Sequence, residues 1–141
     1  MNKLETIVKI GALIFDENNC LLAVHKRGKP MNELIVPGGK MEEKENDEQT
    51  LRREIAEELN TNIKTFKYYA QFQAKAIYEN KWLIMRTYIV SLDGEPSPSN
   101  EIDQLVWLDH EYSKSSYQFA SILGKQILPR VFSKREQNEI I

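Results

Sequence analysis

Residues 37–61 read PGGKMEEKENDEQTLRREIAEELNT, a glycine turn followed by a segment with strong helix signals. Asn46 and Asp47 are good N-caps, and no Gly or Pro interrupts the segment before Leu59. Apolar residues recur at every fourth position, at Leu51, Ile55 and Leu59. Asn60 follows, and Asn tolerates the left-handed conformation that commonly closes a helix. We therefore expect a helix that ends at Leu59, with one apolar stripe packed against a sheet.

The same helix carries three glutamates, Glu54, Glu57 and Glu58, at spacing i, i+3 and i+4, which places them on one face. Like charges late in a helix repel one another and oppose the helix dipole. A divalent cation among them removes this conflict, and all-oxygen ligands favour Mg²⁺ or Mn²⁺ over Zn²⁺. A solvated acidic face or a surface for docking a partner is the alternative. That alternative leaves the glycine turn and Arg53 unexplained.

The spacing of this stretch resembles the Nudix box, G-x5-E-x7-R-E-U-x-E-E-x-G-U, in which U is a bulky aliphatic residue. The matching positions are Gly39, Glu45, Arg53, Glu54, Ile55, Glu57 and Glu58. Two positions depart, because Asn60 stands where the family has Gly and Thr61 where it has an aliphatic residue. Neither position is a ligand. A weaker resemblance to MutT-like members covers most of the chain, including PGGK at 37–40 and EIDQLVWL at 101–108.

The resemblance implies roles for individual residues. The catalytic metal would be bound by Glu54, Glu57, Glu58 and the Gly39 carbonyl, with Mg²⁺ the expected ion and Mn²⁺ the alternative. Arg53 would orient Glu54, while Glu45 and Gly38 would support the site. Glu101 resembles the distal glutamate that joins the metal site or acts as base, although it could also be a solvated loop acid. The proton acceptor is one of three glutamates: Glu57, Glu58 or Glu101.

Basic residues near the glycine turn are candidates for binding phosphate. Lys40 adjoins the turn, and Arg27 or Lys26 lies in the preceding loop. Several aromatic residues could stack a base or simply belong to the core: Tyr69, Phe72, Trp82, Tyr88 and Trp107. Tyr78 falls where dinucleoside-polyphosphate hydrolases of the family tend to have a tyrosine, but packing in a strand is the more usual role of such a residue.

The activity that the resemblance implies is metal-dependent hydrolysis of a diphosphate linkage in a small nucleotide. A MutT-like enzyme would cut a nucleoside triphosphate, or another nucleoside diphosphate derivative, to a monophosphate and pyrophosphate. Hydrolysis of dinucleoside polyphosphates or nucleotide sugars is the alternative within the family. A non-catalytic Nudix-fold nucleotide-binding regulator is the alternative outside enzymes, and it would be expected to lack one or more of the box glutamates.

Composition sets further expectations. The chain has 141 residues, 28% of them charged, and a formal net charge of -2, which argues against a nucleic acid polymer as partner. No apolar run approaches the roughly 20 residues of a membrane span, and no secretory signal is evident at the N-terminus. The single cysteine, Cys20, is expected to be buried and inert. We expect one domain over residues 1–141, located in the cytoplasm. Related small Nudix proteins occur as monomers and as dimers, so we expect a monomer or a homodimer. His25 and His110 are expected to have structural roles.

The rest of the chain predicts strands and one more helix. Thr6 to Phe15 and Cys20 to Val24 are interpreted as a hairpin around a polar turn, and Leu34 to Val36 as a short segment before a break at Pro37, Gly38 and Gly39. Ile63 to Ile77 and Trp82 to Leu92 are expected to pair antiparallel, with a short strand at Leu105 to Leu108. A last helix would start at Ser115 or Ser116 and stop near Pro129, before a tail expected to fray. The expected fold class is α/β, and the resemblance implies a Nudix-type α/β/α sandwich, a mixed sheet flanked by helices.

Overall fold

A computed structural model of the chain describes residues 5–76 and 80–133. The strands are β1 (Glu5–Leu13), β2 (Leu21–Lys26), β3 (Glu33–Leu34), β4 (Gly38–Lys40), β5 (Ile63–Lys75), β6 (Lys81–Leu92), β7 (Ile102–Leu108) and β8 (Gln118–Phe119). The helices are α1 (Asp47–Leu59) and α2 (Leu128–Val131), and a π-helical turn (Leu123–Ile127) leads into α2. A short 3-10 turn lies at Tyr112–Lys114.

The largest sheet is mixed and has the order β4-β1-β6-β5. Strand β1 runs parallel to β6 and antiparallel to β4, and β5 pairs antiparallel with β6. Strand β2 pairs antiparallel with β7, and β3 pairs parallel with β8. The predicted antiparallel pairing of the two long strands is confirmed. Residues 77–79 lie outside the described residues.

Side-chain alternation along β1 and β2 divides the interior into two cores. On one face Ile10, Ala12, Leu22 and Val24 pack with the apolar stripe of α1. On the other face Leu13, Leu21 and Ala23 pack with the C-terminal helical segment. Residues of that segment in the second core are Ile122, Leu123, Ile127, Leu128 and Val131. Sheet layers therefore lie between helices, which confirms the predicted α/β/α sandwich with a mixed sheet.

Helix α1 agrees with its prediction at both ends. Asn46 forms a capping box with Gln49, in which each side chain accepts a hydrogen bond from the backbone N–H of the other residue. Asn60 closes the helix in the left-handed conformation, with φ 52° and ψ 39°. Leu51, Ile55 and Leu59 are fully buried, so the apolar stripe fixes the rotation of the helix and turns the glutamates toward β4.

An ion pair anchors the first turn of α1 to the sheet. Arg86 on β6 donates two hydrogen bonds to the carboxylate of Asp47, at 2.7 and 2.8 Å, and the Tyr88 hydroxyl donates a third at 2.6 Å. The Arg86 hydrogen bonds lower the pKa of Asp47, so the carboxylate stays ionised. Together with the contact between α1 and β4, this anchor holds the helix at both ends.

The predicted hairpin of β1 and β2 is wrong, because the two strands do not pair along their length. The turn is present, since the Asp16 side chain accepts hydrogen bonds from the Asn18 and Cys20 amides at 2.9 Å. Beyond a single bridge between Phe15 and Leu21, however, the two strands pair with other partners. Both edges of β1 are taken by β4 and β6, so the chain passes from one sheet to another at this turn. The turn residues therefore specified the reversal of the chain direction but not the strands with which β1 and β2 pair.

Three other predicted boundaries differ. Gly38 to Lys40 do not simply break the chain, because they form β4 against β1. Strand β7 begins at Ile102 rather than Leu105, because its pairing with β2 already starts there. The last helix does not begin at Ser115 or Ser116, which follow the 3-10 turn and precede β8. It also continues through Pro129, because the wide π turn before α2 accommodates a ring that would otherwise clash in the preceding turn.

Cys20 is only partly buried, contrary to the prediction. Partial desolvation is the largest cause that raises the pKa of its thiol, and the charges of Asp16 and Asp109 add to it. A raised pKa leaves less of the reactive thiolate, which agrees with the expected low reactivity. Within residues 5–76 and 80–133, no helix is long and apolar enough to cross a membrane. The frayed tail predicted after Ser133 lies outside the described residues.

Gly38 is a position where we expect a single methyl group to damage the fold. Its φ is +136°, and a Cβ there would lie 2.1 Å from the Ile10 carbonyl oxygen and 2.9 Å from the Gly11 Cα. Both contacts are backbone atoms of β1, which cannot move without losing the pairing of β4. We expect Gly38→Ala to lower the free energy of unfolding by about 3 kcal/mol or more, measured by equilibrium urea unfolding.

Gly28→Ala is the matched control for this prediction. Gly28 also has a positive φ, +85°, but nothing lies within 4 Å of a Cβ built there. Only backbone strain remains, so the expected loss is about 1 kcal/mol. Equal losses for the two variants would contradict the clash with β1.

Candidate active site

Glu58 lies where the last turn of α1 meets β4. Its side chain is buried, with 7% relative exposure, and its Oε1 accepts a hydrogen bond from the Gly38 amide at 2.8 Å. Burial is the main cause that raises the pKa of Glu58 to about 8. The charges of Glu54 and Glu101 contribute to the increase, and the Gly38 hydrogen bond and Lys26 oppose it. Near neutral pH this carboxyl group is therefore poised to ionise if a cation approaches.

Glu54 lies one turn earlier on α1, directly over Gly39. A Cβ built on Gly39 would be 2.4 Å from the Glu54 carboxyl group, so only a residue without a side chain leaves room for it. Burial raises the pKa of Glu54, and the charges of Glu57 and Glu101 add to the effect, against the Arg53 interaction. The two glutamates thus lie side by side along the Gly38–Gly39 backbone.

Arg53 holds this edge of the helix in place. Its guanidinium donates to both oxygens of Glu45, at 2.7 and 2.9 Å, to Glu54 at 2.8 Å, and to the Lys40 carbonyl at 3.2 Å. The hydrogen bonds from Arg53 to Glu45 are the largest of several effects that lower the pKa of Glu45 to about 2. Arg53 thus contacts Glu45 and Glu54 at the same time, and its role in orienting Glu54 stays a prediction. Glu57 is half-exposed and lies 3.6 Å from Arg53.

The loop after β6 closes the site on its other side. The Ser97 and Ser99 amides donate to the Leu59 and Glu58 carbonyls at 2.9 and 3.0 Å, and so satisfy carbonyl groups at the end of α1. This docking brings Glu101 close enough to Glu54 and Glu58 to raise the pKa of both. Glu101 is exposed and forms an ion pair with Lys26 at 3.1 Å.

The predicted phosphate-binding residues are placed differently from one another. Of these three residues, Lys26 is the one whose charge acts on Glu58, and its Nζ meets Glu101. The Arg27 side chain is exposed and donates to the Asn100 carbonyl at 3.3 Å. Lys40 is exposed at the end of β4. The sequence left Arg27 and Lys26 as alternatives, because no sequence signal distinguishes which of two neighbouring residues points inward.

The ligand atoms available at this site are of the type that a hard divalent cation binds. They belong to carboxylates that repel one another, two of them partly desolvated, beside a glycine backbone that a side chain would block. Glu54 accepts a hydrogen bond from Arg53, and Glu58 accepts one from the Gly38 amide. Among the described residues, no three His, Cys, Asp or Glu side chains converge as a ready-made metal cage.

Four of the five aromatic residues considered for base stacking have other contacts. Phe72 is buried in the second core, and Trp82 donates to the Gln73 side chain at 2.9 Å. Tyr88 donates to Asp47 and meets Phe66 and Tyr68 edge to face, with ring centroids 5.9 and 5.6 Å apart. Trp107 is 38% exposed on β7, and Arg130 lies over the Tyr69 ring. Tyr78 lies outside the described residues.

A helix that carries glutamates over a glycine strand, within an α/β/α sandwich, defines a class of hydrolases. The family model of the NUDIX domain matches residues 5–123, most of the chain, so this protein belongs to the Nudix family of hydrolases. This confirms the family predicted from the box. Members of this family generally use divalent metal ions and act on small nucleotides.

Solved structures show the same fold. The MutT Nudix hydrolase from Burkholderia pseudomallei has a TM-score of 0.74 at 21% identity, over 90% of this chain and 98% of its own. The MutT protein from Methanosarcina mazei Go1 has a TM-score of 0.71 at 20% identity, over 99% of both chains. The E. coli ORF135 protein has a TM-score of 0.69 at 24% identity, over 84% of this chain and 83% of its own. No curated protein matches the chain significantly.

Proposed function

We propose that this chain hydrolyses a diphosphate linkage in a nucleoside triphosphate or another nucleoside diphosphate derivative, in a reaction that depends on Mg²⁺ or Mn²⁺. The observation that carries the proposal is the pair of desolvated carboxyl groups, Glu54 and Glu58, held along the Gly38–Gly39 backbone. Desolvated, mutually repelling carboxylates cost stability, and a site that binds a cation gives them a use. All box glutamates are retained, which favours an enzyme over a non-catalytic regulator.

The chemistry assigns a role to each group. Glu54, Glu57, Glu58 and the Gly39 carbonyl would hold the ion, and Arg53 keeps Glu54 turned toward Gly39. A bound Mg²⁺ or Mn²⁺ would neutralise the diphosphate oxygens and make water a better nucleophile. One of Glu57, Glu58 and Glu101 accepts the proton of the attacking water. Lys26 faces the acids and is the residue we assign to a phosphate oxygen, ahead of Arg27 and Lys40.

The test is a panel of nucleotides incubated with Mg²⁺, with Mn²⁺ and with a chelator, in which the products are identified by ion-exchange chromatography. We expect a nucleoside monophosphate and pyrophosphate from a triphosphate, only when a divalent ion is present. Preferential cleavage of dinucleoside polyphosphates or nucleotide sugars would reassign the substrate within the family. Absence of turnover on every nucleotide, with the protein folded and loaded with metal, would overturn the proposal.

Arg53→Lys is expected to reduce kcat/KM by about tenfold to a hundredfold. Lysine keeps the positive charge but cannot bridge Glu45, Glu54 and the Lys40 carbonyl at the same time, so Glu54 loses its fixed orientation. Steady-state kinetics at saturating Mg²⁺ measure the effect. Arg52→Lys is the matched control, because Arg52 lies on the same helix and pairs with Glu48 away from the site. Equal losses for the two variants would contradict the orienting role.

A further inference from the structure

His25 is a buried titratable residue that the proposed reaction does not use. It lies near the end of β2, where the pairing with β7 shifts register, and its relative exposure is 4%. Its Nδ1 is 2.5 Å from Asp103 Oδ1, and its Nε2 is 3.0 Å from the Pro30 carbonyl oxygen and 3.2 Å from that of Lys29. Both ring nitrogens therefore face oxygen atoms.

The nature of these oxygens determines where the protons are. Carbonyl oxygens only accept hydrogen bonds, so Nε2 carries a hydrogen. An ionised Asp103 also only accepts, so Nδ1 carries a second hydrogen and the ring is an imidazolium. The hydrogen bond to Asp103 raises the pKa of His25 above its usual range even though burial lowers it, in agreement with this assignment.

The pair connects two segments that border the proposed site. Lys29 and Pro30 belong to the turn that follows Lys26, and Asp103 follows Glu101 by two residues. Within these segments the Arg27 amide donates to the Glu101 carbonyl at 2.8 Å, and Lys26 Nζ meets the Glu101 carboxylate at 3.1 Å. The cation and the acid that act on Glu58 are thus held by segments that His25 joins.

We propose that His25 and Asp103 are positioning residues, which fix the turn at 27–30 against the segment at 100–103 and thereby hold Lys26 and Glu101 beside Glu58. The effect on turnover rests on the proposed function, whereas the effect on the two segments does not. An imidazolium suits this task because a neutral histidine has only one N–H and would leave one side without a donor.

The first test is structural and uses the full chain without substrate. In wild-type protein, ¹⁵N NMR should show both nitrogens of the His25 ring protonated at pH 7. The Asp103→Asn variant keeps the shape of the side chain and removes its charge, and we expect the Arg27 amide to exchange with solvent about tenfold faster. We test Asp103 because its side chain is partly exposed, so this variant is expected to fold. A substitution of the buried His25, such as His25→Gln, could prevent folding. A His25 ring with a single proton, or unchanged exchange at Arg27, would overturn the proposal.

The second test is kinetic and separates positioning from a merely structural role. We expect Asp103→Asn to raise KM for the nucleotide about tenfold while kcat changes by less than about threefold, because Lys26 would contact the phosphates in ground and transition states alike. Asp103→Glu, which restores the charge, should recover most of the loss. His110→Gln is the matched control, since His110 is exposed and lies 3.9 Å from Glu111, which is not one of the proposed site residues. Equal effects of Asp103→Asn and His110→Gln would refute positioning by Asp103.

The two proposals can fail separately. If wild-type protein cleaves no nucleotide, the proposed function fails, and the ring protonation and Arg27 exchange still decide whether His25 fixes the two segments. If turnover is normal and Asp103→Asn leaves both KM and exchange unchanged, the positioning role fails and the proposed function stands.

Discussion

A Glu58→Gln variant is expected to lose turnover by about a hundredfold or more and, without metal, to be more stable than the parent protein at alkaline pH. The substituted side chain would lack the negative charge that the proposed cation and proton transfer require. Its amide oxygen can still accept the hydrogen bond that Gly38 donates to Glu58 Oε1, so the fold is kept. Loss of activity together with a gain in stability is the signature of a carboxyl group buried for function.

The pH dependence of that gain follows from the direction of the pKa shift. Burial raises the pKa of Glu58 from its ordinary value of 4.5 to about 8 in the folded chain. Between these values the folded state binds more protons than the unfolded state, so stability falls as pH rises from 4.5 toward 8 and then levels off. The uncharged amide of the variant removes this loss. Thermal unfolding with a chelator should give the variant a Tm higher by roughly 5 °C at pH 9 and nearly equal at pH 5.

Glu57→Gln is the matched control on the same helix. The Glu57 side chain has 46% relative exposure, so its neutralisation removes little desolvation energy. We expect turnover to fall as for Glu58→Gln, with no gain in Tm that grows with pH. Unchanged turnover in either variant would reject the assignment of the glutamates. A Tm difference for Glu58→Gln that is the same at pH 5 and pH 9 would contradict the burial of its charge.

The parts of this molecule that sequence predicts are those with local causes. The capping box of Asn46, the left-handed Asn60 and the stripe of Leu51, Ile55 and Leu59 all act within a few residues, and the structure has each of them in place. The box spacing then placed Glu54 and Glu58 on one face because that face is fixed by the helical repeat. The family could be identified from this stretch for the same reason.

The parts that sequence did not predict depend on which distant segments meet. The turn at Asp16 is local, yet the partners of β1 are β4 and β6, which no turn residue specifies. Arg86 and Asp47 are 39 residues apart, and His25 and Asp103 are 78 residues apart, so neither pair has a spacing to recognise. Pro129 is compatible with a helix only because a π turn precedes it. Lys26 meets Glu101 while Arg27 donates to Asn100, and no local sequence signal distinguishes these two contacts.

Gly39→Ala is expected to separate activity from stability. A Cβ at Gly39 would lie 2.4 Å from Glu54 Cδ and Oε1 and 2.7 Å from Oε2, but these atoms are the far end of a flexible side chain. The carboxyl group can swing away, so we expect the free energy of unfolding to fall by less than about 1.5 kcal/mol. Glu54 would then leave its position over the strand, and a misplacement of about 1 Å in a catalytic group costs roughly a hundredfold in turnover.

A double-mutant cycle shows whether the loss passes through Glu54. If Gly39→Ala acts only by displacing that carboxyl group, adding it to a Glu54→Gln variant should reduce kcat/KM little further, whereas independent effects would multiply. Gly94→Ala is the matched glycine control, because a Cβ there meets only Thr61 Oγ1 at 3.4 Å, an ordinary contact. A large stability loss in Gly39→Ala, or full multiplication with Glu54→Gln, would mean that the methyl group disturbs β4 itself. In that case the absence of a side chain at residue 39 would serve the strand and not the carboxylate.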